Sequence, residues 1–263
     1  KIASMGDDMY WRIIRINGDG SIRMIYTGTE AFANGSTGNV SFIGFSPYNI
    51  NYNDNAYVGY MYGTVGSSSY EETHKNTNNS TIKKFVDNWY ETYFNNYTDF
   101  LQDTIYCNDR NVDIMGDGTG TTSTAYSNFT RNWGNDSAVP SLKCTNINDR
   151  FTVSASNGNG ALTYPVGLIT TDETVLSGGK VFSIVNNSYV TNTNYYLFNG
   201  FWNWSMTPDI FADGSARVGN VSEFGYAGDV NTNNGDGAVR PVVSLRPDVI
   251  IGGDGTMNNP FVV

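Results

Sequence analysis

Residues 10–28 alternate between two faces, with Trp11, Ile13 and Arg15 on one side and Arg12, Ile14 and Ile16 on the other. A period of two predicts a β-hairpin, and Asn17-Gly18-Asp19-Gly20 supplies residues that accept the positive φ of its turn. Over 33–80 the periodicity is lost among Asn, Gly, Ser and Tyr, and only a short strand near Tyr57 to Tyr62 is expected there. From Ser80 to about Asn95 the apolar positions Ile82, Phe85, Val86, Trp89 and Tyr93 follow helical spacing, with Ser80 as N-cap, and the helix is expected to cover a sheet. A second, short helix is expected over Asp172 to Ser177, capped by Thr171 and stopped by Gly178-Gly179. Short strands and loops follow from Tyr195, then a buried strand at Val239 to Leu245 and a closing segment at Phe261 to Val263. Gly-Asp-Gly recurs at 18–20, 116–118, 235–237 and 253–255, but unequal intervals mark turns rather than a repeat architecture.

Composition narrows the function classes. At 263 residues with 39% hydrophobic and 14% aromatic side chains, the chain can bury a core, and it is read as one domain with long insertions. Its net charge of −10 repels nucleic-acid backbones and anionic lipid, and no run approaches the roughly eighteen apolar residues of a membrane helix. Neither nucleic acid nor direct membrane insertion is expected. The chain begins at Lys1 without Met, read as the start left after removal of an export or anchoring segment. Cys107 and Cys144, 37 positions apart, either close a disulfide worth about 4 kcal/mol and belong to an oxidising compartment, or stand as two buried free thiols.

Few residues offer catalytic or metal chemistry. The single histidine, His74, lies in the polar stretch Glu71 to Asn76 and is expected to be a solvent-facing loop residue. Asn51, Asn53 and Asn55 alternate as in an EF-hand, but Ala56 and Tyr62 occupy the Gly and Glu positions. Asp229, Asn231 and Asn233 fail in the same way at Asn234 and Arg240. No cofactor is expected. Carboxylate pairs among Glu30, Glu173, Glu223 and the aspartates leave a glycan-active enzyme as an alternative, although Glu173 suits a helix N-terminus without any catalytic role.

The segment 195–238 stands out, because it sets aromatics among Gly, Asn, Ser and Asp as antibody binding loops do. Trp204, Met206 and Leu197 are assigned to the core. The ligand-binding candidates are Phe198, Asn199, Phe201, Trp202, Asn203, Ile210, Arg217, Glu223, Phe224, Tyr226, Asp229 and Asn231.

Trp11 to Gly20, Asn55 to Tyr62, Trp204-Ser205-Met206-Thr207-Pro208, Val239 to Leu245 and Gly253-Asp254-Gly255-Thr256 together resemble a family of exported surface proteins from gut Gram-positive bacteria. That resemblance implies an α+β, C-type lectin-like fold shared with formylglycine-generating enzyme, with short twisted antiparallel strands, two helices and long loops. It also implies kinship with the variable proteins of diversity-generating retroelements, in which a segment ending near a motif like Val239-Arg240-Pro241 is diversified for binding. The implied function is an extracellular or cell-surface domain binding a protein or glycan on a cell or phage surface, on a framework of Trp204, Pro208, Arg240 and Pro241. A pilin-like structural subunit is the alternative from a different class. Glu-Pro-Asn, Gln-Pro-Asp and Trp-Asn-Asp sugar motifs are missing, since Trp133-Gly134-Asn135-Asp136 carries an extra glycine. Cys107 and Cys144 precede the lectin-like motifs, so the formylglycine-generating activity is not carried over.

Overall fold

The computed structural model describes residues 2–3, 8–34, 36–37, 40–133, 139–181, 184–185, 188–189, 191–192, 195–250 and 252–263. The first hairpin pairs β1 (Trp11–Ile16) with β2 (Ile22–Tyr26), as its alternation predicts. Its turn closes through Asn17 N–H to Ser21 O at 2.8 Å, with Gly20 at φ +84°.

Four α-helices are described: α1 (Tyr70–Thr73), α2 (Thr81–Tyr93), α3 (Ser127–Trp133) and α4 (Thr171–Leu176). Two were expected; α1 and α3, of four and seven residues, were not. In α2 the Ser80 side chain accepts from Lys83 N–H, and Ile82, Val86 and Tyr90 are buried. Trp89 lies 5.7 Å from Tyr26 and 6.4 Å from Trp11 between ring centroids, so the helix covers the hairpin. Tyr93, expected on that face, is 59% exposed although i+11 returns to within about 20° of Ile82; it is the last residue of the helix. The strand expected at 57–62 is a 3-10 turn at Asn55–Val58 followed by a two-residue strand, Met61–Tyr62.

Besides several two-residue strands that pair only locally, the strands are β3 (Tyr106–Cys107), β4 (Val112–Met115), β5 (Thr124–Tyr126), β6 (Arg150–Phe151), β7 (Lys180–Val181), β8 (Asn203–Ala212), β9 (Ser215–Val221), β10 (Tyr226–Asn231) and β11 (Val242–Leu245). Six form one sheet in the order β7-β10-β9-β8-β5-β4, antiparallel except for β7 with β10. A second sheet, β11-β2-β1, brings the C-terminal strand onto the N-terminal hairpin, and β6 pairs with β3. The fold is mixed α+β with several antiparallel sheets.

Where short strands were expected, β8 runs ten residues and nine of them are buried. Helices α3 and α4 lie against it, so its alternation is hidden and its sequence reads as irregular. Pro208 cannot donate to the ladder, and the register with β9 shifts on both sides of it. Trp204 is fully buried, donating Nε1–H to Ser46 O at 2.7 Å. At Gly237 a Cβ would lie 2.1 Å from that Nε1, so this Gly-Asp-Gly serves close approach to an indole rather than a turn alone. Arg240, also buried, donates to Tyr26 O and Leu197 O and thereby ties the C-terminal motif to the hairpin and to 195–198. Among the described residues no helix is long and apolar enough to cross a membrane.

Candidate functional site: a polar cleft at the start of helix α4

Helix α4 begins one residue earlier than expected. Thr170 caps it, accepting from Glu173 N–H, while Glu173 Oε2 accepts from Thr170 N–H at 3.0 Å. This reciprocal capping box needs Glu at the third helical position, which the Thr170-Thr171-Asp172-Glu173 order supplies. It fixes Glu173 against the hairpin, where Arg15 and Arg23 are directly opposite each other across β1 and β2. Two like charges so placed repel. Glu173 Oε1 gives the two a shared counter-charge, 3.1 Å from Arg15 Nε and 2.5 Å from Arg23 Nε, the second contact being a charge pair without hydrogen-bond alignment. The Arg23 guanidinium also lies over the Tyr106 ring at 4.3 Å. Burial works to raise the Glu173 pKa, but the Arg23 and Arg15 charges and the Thr170 N–H outweigh it and hold it below the usual carboxylate value.

A second ion cluster lies beside the first. Arg131 of α3 donates to both Asp172 oxygens, at 3.1 and 2.8 Å, and its Nη2 is 2.7 Å from Asp109. Asp172 accepts Ser141 N–H as well, and Asp109 accepts Asn111 Nδ2–H. Burial raises the Asp109 pKa more than Arg131 lowers it.

Of these groups Arg15, Arg23, Asp109, Asp172 and Glu173 line a cleft of about 680 Å³, within the ordinary size range of ligand sites. Its walls are the hairpin turn (Arg15, Asn17), the segment Asp103 to Asp109, and the segment Ser141 to Arg150. Cys107 and Cys144 are joined in a disulfide that fastens the last two walls together, which resolves the open choice in favour of the bridge. Among the described residues no three His, Cys, Asp or Glu side chains are grouped to hold a metal ion.

None of the twelve candidates from the sequence lines this cleft. Phe198, Asn199, Asn203, Ile210 and Tyr226 are buried, against their assignment to an open binding surface. The reason is the two-sided cover of the sheet: Asn199 bonds Ser41 and Asn203, and Ile210 sits in the β8–β5 pairing. Tyr226 opens β10, and its N–H donates to Ser222 Oγ. Arg217 and Asp229, 3.6 Å apart, are half-buried on β9 and β10, while Asn231 is exposed at the end of β10. Glu223 is exposed and Phe224 half-buried at the β9–β10 turn.

Phe201 and Trp202 do reach the surface. Phe201 lies 4.9 Å from Phe42, which is 4.7 Å from the half-exposed Phe45, and the three form an aromatic patch, while Trp202 packs edge-on against the buried Trp204 at 5.2 Å. His74 is a further correction: it is 3% exposed, its Nε2 lies 2.8 Å from Gly118 O, and it sits between Tyr70 and Tyr126. The cap of α1 turns it inward. Of the lectin-motif stretch, Gly134, Asn135 and Asp136 lie outside the described residues.

The cleft residues were missed because their partners are far apart in sequence. One local signal existed, the capping-box order at 170–173, which places Glu173 without saying what it faces. No family model, no curated protein and no solved structure matches this chain.

Proposed function

We propose that this chain is a ligand-binding domain of an exported or surface-displayed protein, with the cleft at the start of α4 as its site. The observation that carries this reading is that a cavity of ligand size is lined by paired ions, most of them hydrogen-bonded, rather than loose side chains. A polar site held in advance loses little conformational freedom on binding, which favours recognition. The C-type lectin-like assignment belongs to the same proposal. It is supported by the spread of the resembling motifs and by the small sheet in which the terminal strands meet beside a larger sheet with long loops.

Two further observations favour competing placements of function. The aromatic patch of Phe42, Phe45 and Phe201 favours a recognition surface that includes part of 195–238, of the kind a diversified segment would supply. In the cleft, Asp109 is raised and Glu173 lowered, the divergence a carboxylate-dependent glycan-active enzyme uses. Both are answered by one experiment: binding to arrays of glycans and peptides, comparing the protein with Ser156→Trp, which fills the cleft from an exposed loop, and with Phe201→Ser. Loss of signal with Ser156→Trp alone supports the cleft. Loss with Phe201→Ser alone overturns it in favour of the patch, and release of shortened glycan identifies an enzyme. A reverse transcriptase gene beside a near-copy of the DNA encoding 195–238 would establish diversification.

A further inference from the structure

The cleft has five lining carboxylates and four lining cations, so its net charge says little about its ligand. What distinguishes the two sets is how many of their hydrogen-bonding atoms are already used. Asp103 accepts Val153 and Ser154 N–H, at 2.9 and 2.8 Å. Asp109, Asp172 and Glu173 are bound by Arg131, Ser141 N–H, Arg15 and Arg23 as described, and Asp19 accepts Ser21 N–H and Oγ–H at the rim. Each carboxylate therefore meets donors from the protein itself, and among the described residues only Asp19 Oδ2, at the rim, is left without one.

The cations are less fully engaged. Arg15 donates Nε–H to Glu173 and Nη1–H to Asn17, which leaves Nη2 without a partner among the described residues, and its side chain is 29% exposed. Arg150 donates Nε–H to Cys144 O and Nη2–H to Thr145 O, leaving Nη1. Lys143 is exposed on the wall between them in sequence, with no acceptor among the described residues. Unused donors on a cationic group call for an anionic acceptor, and such bonds are roughly twice as strong as neutral ones. The rest of the lining includes hydroxyls and amides, among them Thr104, Ser141 and Asn157, with Ile105 and Leu142 as small apolar faces. That combination suits a ring bearing many hydroxyl groups.

Resting on the cleft as the binding site, we propose that its ligand is an acidic saccharide whose carboxylate or sulfate is held by Arg15, Lys143 and Arg150. A di- or trisaccharide fills a cavity of about 680 Å³ without entering the core.

The test is calorimetry and amide NMR on the whole chain at low salt, with sialyllactose, trigalacturonate and a sulfated chondroitin disaccharide as probes and maltotriose as the neutral counterpart. At least one acidic probe is expected to bind about tenfold or more tightly than maltotriose, shifting resonances of 103–109 and 141–157. Its affinity should fall as salt is raised, and Lys143→Gln should weaken it about fivefold or more with unchanged thermal stability. Whether the carboxylate probes or the sulfated one binds identifies the anion. Equal binding of maltotriose at the same residues overturns the acidic assignment while leaving the cleft as the site. Shifts confined to Phe42, Phe45, Phe201 and Trp202 overturn both, and no binding of any acidic probe at millimolar concentration overturns the proposal.

Discussion

Tyr226 and Phe201 have the same kind of sequence surroundings and opposite fates. Tyr226 is 6% exposed and Phe201 is half-buried, so truncating them should separate. Tyr226→Ser is expected to join Trp204→Ala and Leu245→Ala, at about 2–5 kcal/mol each, through lost transfer energy and the cavity left behind. Phe201→Ser and Trp202→Ser should cost about 1 kcal/mol each, because only part of each ring leaves water on folding. Urea unfolding midpoints decide it, and equal losses across all five would mean the patch is core. His74 gives a second prediction at this scale. Burial, then the Arg110 charge, lower its pKa from 6.5 to about 3. The unfolded chain takes up a proton below pH 6.5 that the folded chain refuses until about pH 3, so stability falls with pH across that window. The slope attributable to this residue is at most about 1.4 kcal/mol per pH unit, and a His74→Gln variant should lack it.

At the level of elements, helix α4 and the hairpin are coupled by one carboxylate. Glu173→Gln keeps a cap for Thr170 N–H but leaves Arg15 and Arg23 opposed without a counter-charge, and is expected to cost about 3–5 kcal/mol. The pH dependence separates it from His74. Glu173 has a folded pKa below 4.5, so its contribution is present above that value and is lost as pH falls through the folded pKa. Thermal melts of the protein and of Glu173→Gln between pH 7 and 3 should therefore converge only at the acid end. The hairpin, α2 and the start of α4 were all legible to within a residue or two, because their periods and caps are local. The length of β8 was not, since cover on both faces removes the alternation that marks a strand.

For the whole molecule, the disulfide joins two of the segments that line the cleft. Replacing Cys107 and Cys144 together by Ser is expected to cost about 4 kcal/mol, read from chemical denaturation, because the unfolded chain regains the freedom of a closed loop. The same variant should weaken any ligand of the cleft more than one of the aromatic patch, since Lys143 and Arg150 lose their anchor. Equal weakening at both places would make the bridge a general brace rather than a clamp on the site.

The sequence by itself determined what depends on neighbours along the chain: the hairpin with its Asn17 to Gly20 turn, the amphipathic α2, the mixed α+β class and the burial of Trp204 and Leu245. Turn chemistry, capping and hydrophobic period act within a few residues and can be read there. Only the tertiary structure decided that Arg15, Arg23 and Glu173 share one ion cluster, that Asp109 and Asp172 share Arg131, and that five of the twelve candidate binding residues lie inside. Side chains from 22 to 158 positions apart meet through sheet order and helix docking, and burial depends on whether a second layer covers a face, which no local pattern records.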